Sequence, residues 1–116
     1  MARFTIAVPI LVGSIISLAS HAFAADGAQL FNMQCKMCHG GSPMGPSLTG
    51  IAGQKIGEGT FAFSPALKAK GGTWTDANLD AFLKNPNEFA PGSKMSMSVT
   101  DDAARAAVIA YLKTLK

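Results

Sequence analysis

Five adjacent residues, Cys35-Lys36-Met37-Cys38-His39, hold both cysteines of the chain and one of its two histidines. On a helix, residues three apart share a face, so the two thiols point the same way and the imidazole follows directly. The rest of the sequence has to fold around that concentration of soft, metal-binding side chains. It has little chain with which to do so. A length of 116 residues allows one domain and excludes the large α/β enzyme folds. With 48% apolar and 15% charged residues the chain is no disordered tail, and two cysteines cannot build a disulfide-dense scaffold. A domain this small buries too little surface to be secure alone, so a cross-link, a metal or a large cofactor in its core would help it.

Cys-x-x-Cys-His is the attachment signature of c-type haem. The two thiols reach the two vinyl groups of one porphyrin, and the next residue sets an imidazole under the iron. Three plainer readings compete. A thiol–disulfide pair would follow a strand, and none is predicted here. A zinc site would need a second Cys or His pair, which the exported chain lacks. A structural disulfide is permitted by export. The export signal and the all-helical pattern favour one haem c, covalent through Cys35 and Cys38.

Residues 1–24 read as a cleaved secretory signal peptide. Arg3 is their only charged residue, Phe4 to Ala19 is almost unbroken apolar sequence, and Ala22-Phe23-Ala24 supplies the small-residue cleavage site. The alternative is a retained membrane anchor. The apolar stretch, interrupted by Pro9 and Gly13, is shorter than the roughly 20 residues a spanning helix needs. The mature domain is therefore expected to be 25–116. Losing Arg3 takes one unit from the formal net charge of +3, so the remaining chain is only mildly basic. Nothing in it suggests nucleic-acid binding.

The mature chain reads as helices separated by loops. Asp26 is a candidate cap for a helix from Gly27 to about Cys38, which Gly40-Gly41-Ser42-Pro43 stops. From Gly40 to Gly59 the sequence is Gly/Pro-rich loop. Ser64-Pro65 opens a short helix to about Lys70, and Gly71-Gly72 ends it. Thr75 caps a third helix with Leu79, Phe82 and Leu83 as its apolar stripe, and Asn85-Pro86 terminates it. Thr100 is predicted to cap the last helix, with Asp101 and Asp102 at its positive end and Lys113 and Lys116 at its negative end. Its inner face is Ala104, Ala107, Val108, Tyr111, Leu112 and Leu115. No strand pattern occurs.

Histidine content limits the iron chemistry. His21 leaves with the signal peptide, so His39 is the only imidazole left and a bis-histidine haem is excluded within one mature chain. The sixth ligand is then Met, Lys, water or nothing. Met33 and Met37 lie on the attachment helix, on the side of His39. Met44 follows His39 closely. Met95 and Met97 lie far along the chain, where a loop can return over the opposite face. Met95 and Met97, two residues apart, are expected to point to opposite sides of the loop, so that only one of the pair faces the iron.

At these residues the sequence resembles class I cytochrome c, the mitochondrial-type proteins and their bacterial periplasmic relatives, over essentially the whole mature chain. Gly27-x-x-x-Phe31, Gly45-Pro46-Ser47-Leu48-Thr49-Gly50, Trp74, Pro91-Gly92-Ser93-Lys94-Met95 and Val108-Ile109-Ala110-Tyr111-Leu112-Lys113 carry the resemblance. It implies an all-α fold in which the first and last helices cross, with two or three shorter helices and Gly/Pro-rich loops around one haem. It implies that His39 and Met95 ligate the iron, that the Pro46 carbonyl accepts a hydrogen bond from His39, and that Trp74 contacts a haem propionate. It places Gly27 and Phe31 against Val108 and Tyr111. The chain departs from the mitochondrial pattern at Gln54, where an arginine is usual, at Phe63 and Phe82, where tyrosines are, and at Leu67, where an asparagine is. Met97 replaces an aromatic at the exposed haem edge, which it is expected to cover as a soft apolar contact, and the stretch from His39 to Gly45 is shorter.

An iron with six ligands has no open position for substrate, so the function implied is not enzymatic. The chain is expected to be a monomeric periplasmic one-electron carrier, serving membrane cytochrome complexes, oxidases or periplasmic dehydrogenases, with no stable membrane insertion after cleavage. Lys36, Lys55, Lys84 and Lys94 are candidate contacts on the haem-edge side, weighed against ordinary solvated lysines. The alternative is a haem protein with a vacant or labile sixth site, such as a small peroxidase or a gas-binding protein. A further alternative is a redox subunit held permanently by one dehydrogenase.

Overall fold

The computed structural model describes residues 26–116, together with Gly13. The predicted signal peptide and its cleavage site lie outside the described residues, Gly13 apart. Among the described residues no helix is long and apolar enough to cross a membrane.

The first helical segment, α1, is continuous through the Cys-x-x-Cys-His run. Residues 26–30 are α-helical, Phe31–Cys35 takes a wider π turn, and Lys36–His39 returns to α geometry. The π turn is closed by the Lys36 N–H on the Phe31 carbonyl. Such wide turns occur mostly as single insertions in α-helices, often at functional sites. Here the turn carries two buried residues, Phe31 and Cys35. Asp26 already lies within the helix rather than ahead of it, so it is not the expected cap.

Four helices follow, and side-chain caps set where each begins. Ser64 accepts from the Leu67 N–H at 3.3 Å and Pro65 fills the first turn of α2, Pro65–Ala69. Thr75 accepts from the Asn78 N–H at 3.1 Å to open α3, Asp76–Lys84. Asn85 ends α3, as predicted, but also caps a new short helix α4, Pro86–Phe89, by accepting from the Glu88 N–H at 3.1 Å. The last helix, α5, is Asp102–Leu112. Its cap is Asp101, whose carboxylate accepts from the Ala104 N–H at 2.8 Å, and not Thr100. Thr100 sits one residue too early, and its carbonyl is bound by Arg105. Lys113 binds Asp76 on α3 at 3.1 Å.

The loops are pinned as firmly as the helices. Gly53 N–H donates to the Trp74 carbonyl at 2.9 Å, Trp74 N–H to Gln54 at 2.8 Å, and Ile56 N–H to Gly72 at 3.0 Å. These bonds surround an isolated antiparallel bridge between Lys55 and Thr73. No strand forms among the described residues, which makes the fold all-α, as the sequence pattern implies. Gly50 N–H reaches the Leu115 carbonyl at 2.7 Å, tying the loop to the carboxyl-terminal segment.

The core lies between α1, α3 and α5. Phe31, Leu79, Leu83, Val108 and Leu112 are all buried in it, with Leu67 from α2 and Ile56 and Trp74 from the loops. The crossing of α1 and α5 depends on Gly27. A Cβ there would sit 2.0 Å from the Ala107 carbonyl oxygen and 2.8 Å from the Tyr111 Cβ. One turn on, the Phe31 and Tyr111 rings meet at 5.2 Å with a 54° tilt. The predicted crossing is therefore present, with Ala107 as the residue under Gly27. Glycine in a helix interior normally costs about 1 kcal/mol relative to alanine. The crossing reverses that preference. Gly27→Ala is expected to destabilise the protein by about 1–3 kcal/mol through overpacking, read as a lower midpoint in guanidinium unfolding. A gain in stability of the size of the helix propensity would contradict the close approach.

Candidate functional site

One cavity of about 280 Å³ runs between α1, α5, the loops and the segment after α4. Cys35, Cys38 and His39 line it from α1, and Pro46 and Trp74 line it from the loops. Met95 enters from the segment after α4. All six residues singled out from the sequence therefore border the same space. The remaining wall is mostly apolar, with Leu48, Ile51, Phe61, Leu79, Val108 and Leu112.

Local structure explains the placing of each group. The π turn buries Cys35, while Cys38, one turn on, is half-buried. Both are free thiols. Burial, and then the neighbouring Cys38, pushes the Cys35 thiol above its ordinary pKa. His39 Nδ1–H donates to the Pro46 carbonyl at 2.8 Å. That bond fixes the ring and its tautomer, and leaves Nε2 with a lone pair for a metal. Gly45 makes the approach possible. A Cβ at Gly45 would lie 3.1 Å from both Cε1 and Nδ1 of His39 and 3.0 Å from the Cys38 carbonyl oxygen.

Trp74 is buried, with Phe82 edge-on at 5.2 Å and Phe89 stacked at 5.7 Å. Lys70 holds the far side of that cluster, with Nζ 2.8 Å from the Phe89 carbonyl and 4.3 Å from its ring centroid. The Met95 N–H donates to Ser93 Oγ at 3.3 Å. Lys94 Nζ donates to the Ala62 carbonyl and lies 5.7 Å from the Phe61 ring centroid. Of the four lysines proposed from the sequence, Lys94 alone lines the cavity; Lys36, Lys55 and Lys84 are exposed outside its lining.

The other methionines divide clearly. Met33 and Met37 are 69% and 80% exposed and do not border the cavity. Met44, 68% exposed, and Met97, 37% exposed, both border it. Met95 is the methionine packed against the buried core. The expectation that Met95 and Met97 point to opposite sides does not hold: both border the cavity, as residues two apart in an extended segment share a side. Three departures from the mitochondrial pattern, Phe63, Leu67 and Phe82, all line the cavity and make its wall more apolar.

Sequence reasoning missed Arg105. Its side chain is only 4% exposed and binds Asp80 on α3 at 2.8 Å. A signal was present: Arg105, Val108 and Leu112 share the inward helical face, so a charge at the first of them had to find buried partners.

The donor set fits a covalently attached haem. Two free thiols are three residues apart, an imidazole has its distal nitrogen free to bind, and a thioether borders the same apolar cavity. Comparison with known proteins agrees. The family profile described as Cytochrome c matches residues 24–116. Cytochrome c of Tetrahymena pyriformis is 42% identical over 79% of this chain and 88% of its own. Cytochrome c2 iso-1 of Magnetospirillum molischianum is 46% identical over 72% of this chain and 91% of its own. The solved structure of cytochrome cH from Methylobacterium extorquens superposes with a TM-score of 0.72 at 42% identity, covering 78% of this chain and 97% of that one. With the profile spanning nearly all the described residues and the relatives sharing the fold, this chain belongs to the class I cytochrome c family.

Proposed function

We propose that this cytochrome is a periplasmic one-electron carrier whose haem c is attached through Cys35 and Cys38 and ligated by His39 and Met95. Family membership makes the chain a haem electron carrier; the ligands, the compartment and the partners are the proposal. One observation carries it: both cysteines, His39 and Met95 border a single apolar cavity. When bound, the haem supplies an iron that gains and loses one electron.

The chain's own residues do the rest. The Pro46 carbonyl orients His39 and strengthens it as a donor. The Met95 thioether raises the reduction potential relative to a nitrogen ligand. Trp74 is assigned to a haem propionate. The apolar wall excludes water and limits rearrangement between the two oxidation states. A haem held by both His39 and Met95 would leave the iron no free position for substrate, so no catalytic turnover is assigned. Redox proteins outside the cytoplasm, membrane cytochrome complexes, oxidases or dehydrogenases, are the proposed partners, met as a monomer.

Export follows from residues 1–24, with cleavage after Ala24. The native protein is expected to have the intact mass of residues 25–116 plus one haem, retained under denaturing conditions. A mass that keeps residues 1–24 would support an anchor instead, and haem lost on denaturation would contradict the thioether bonds.

The ligand assignment has its own test. Met95→Ala is expected to abolish the red charge-transfer band of ferric iron–thioether bonding and to lower the potential sharply. Met97→Ala is expected to keep the band and shift the potential slightly. The reverse pattern would move the ligand to Met97. A wild-type protein that lacks the band and binds carbon monoxide readily would favour the vacant-site reading.

A further inference from the structure

The segment that carries Met95 is held unevenly. Ahead of Met95, Gly92 N–H donates to Asn87 Oδ1 at 3.0 Å, Ser93 N–H to the Ala90 carbonyl at 3.0 Å, and Lys94 Nζ to Ala62. Behind it, residues 96–98 take part in no backbone–backbone hydrogen bond among the described residues. The next fixed point is Val99, whose N–H donates to the Leu83 carbonyl at 2.8 Å.

Arg105 grips that point from the other side. Its Nη1 donates to the carbonyls of Val99 and Thr100, each at 3.0 Å. Its Nε donates to Asp80 on α3 at 2.8 Å, and its Nη2 to Asp102 on its own helix. The fork thus joins three parts of the fold: α3, α5 and the end of the Met95 segment. The two carboxylates hold the guanidinium in place and neutralise it. The spare N–H bonds then fall on backbone rather than on another side chain. A planar, always-charged fork suits this role, and a lysine ammonium cannot reproduce it.

We propose that Arg105 is a positioning residue for the sixth ligand: by holding the Val99 and Thr100 carbonyls, it keeps the Met95 thioether poised over the iron. This rests on the reading of Met95 as that ligand. The physical reason is effective concentration. An iron–thioether bond competes with any external ligand, and the competition is decided by how tightly the chain confines the sulfur. Freeing the Val99 end lengthens the mobile segment and raises the entropy lost on ligation. Arg105 does not line the cavity. It acts through the segment.

The test is an imidazole titration of the ferric holoprotein, following loss of the iron–thioether charge-transfer band. Arg105→Gln removes the charged fork and is expected to tighten apparent imidazole binding about tenfold, the effect of losing charge-assisted hydrogen bonds. Arg105→Lys keeps the charge beside Asp80 and reaches one carbonyl, so about threefold is expected; it decides the matter alone if Arg105→Gln does not fold. Ile109→Val is the control. Ile109 is buried on the same helix and does not line the cavity, so its variant is expected to lower the unfolding midpoint with imidazole affinity unchanged.

Imidazole affinity that follows the unfolding midpoint equally in the Arg105 and Ile109 variants would overturn the proposal, as would wild-type affinity in Arg105→Lys. The ligand reading is judged separately with Met95→Ala. If that variant keeps the band, the assignment of Met95 fails and the proposal with it. If it loses the band while the Arg105 variants bind imidazole like wild type, only the role of Arg105 fails.

Discussion

The contact between Gly27 and the Ala107 carbonyl sets the distance between the two helices on which everything else is mounted. With α1 and α5 that close, Cys35, Cys38 and His39 face the same cavity as Val108 and Leu112. A side chain at residue 27 would separate the helices and move both walls at once. Glycine is therefore present where helix propensity alone would disfavour it, and the stability lost locally is recovered through packing of Phe31 on Tyr111 and of the shared core.

From that fixed crossing the site is built by short-range devices. The π turn rotates Cys35 inward without ending the helix. Gly45 leaves room for Pro46 to come within hydrogen-bonding distance of the His39 ring. Ser64, Thr75, Asn85 and Asp101 start their helices through side-chain caps, so the loops between them have fixed ends. A carrier of single electrons needs ligands that do not move between oxidation states, and such devices supply that rigidity. Phe63, Leu67 and Phe82 line the wall with apolar rings and methyl groups, and hydrogen bonds at Gly92, Ser93 and Val99 fix the segment that carries Met95.

Much of this was legible in the sequence because it is encoded locally. Cys-x-x-Cys-His announces its chemistry by spacing, Ser64-Pro65 and Thr75 announce helix starts, and the Leu79, Phe82 and Leu83 stripe announces a buried face. What escaped depends on contacts distant in the chain. The cap of α5 falls on Asp101 rather than Thr100 because the Thr100 carbonyl belongs to Arg105. Asn85-Pro86 reads as a stop signal, yet the same asparagine can cap whatever follows. The π turn leaves no mark in a periodicity that is otherwise helical. Arg105 itself was readable only as a charge on an apolar face, and its partners lie on another helix and a loop. Met97 borders the cavity beside Met95 because alternation puts residues two apart on one side, which the expectation of opposite sides overlooked.

The central claim is that the chain holds one imidazole and one thioether on the iron in both oxidation states. X-ray absorption at the iron edge of the native holoprotein, recorded oxidised and reduced, measures this directly. One sulfur scatterer at thioether distance is expected in both spectra, with little change in the rest of the coordination sphere. Loss of the sulfur in either state, or its replacement by a light-atom ligand, would contradict the claim.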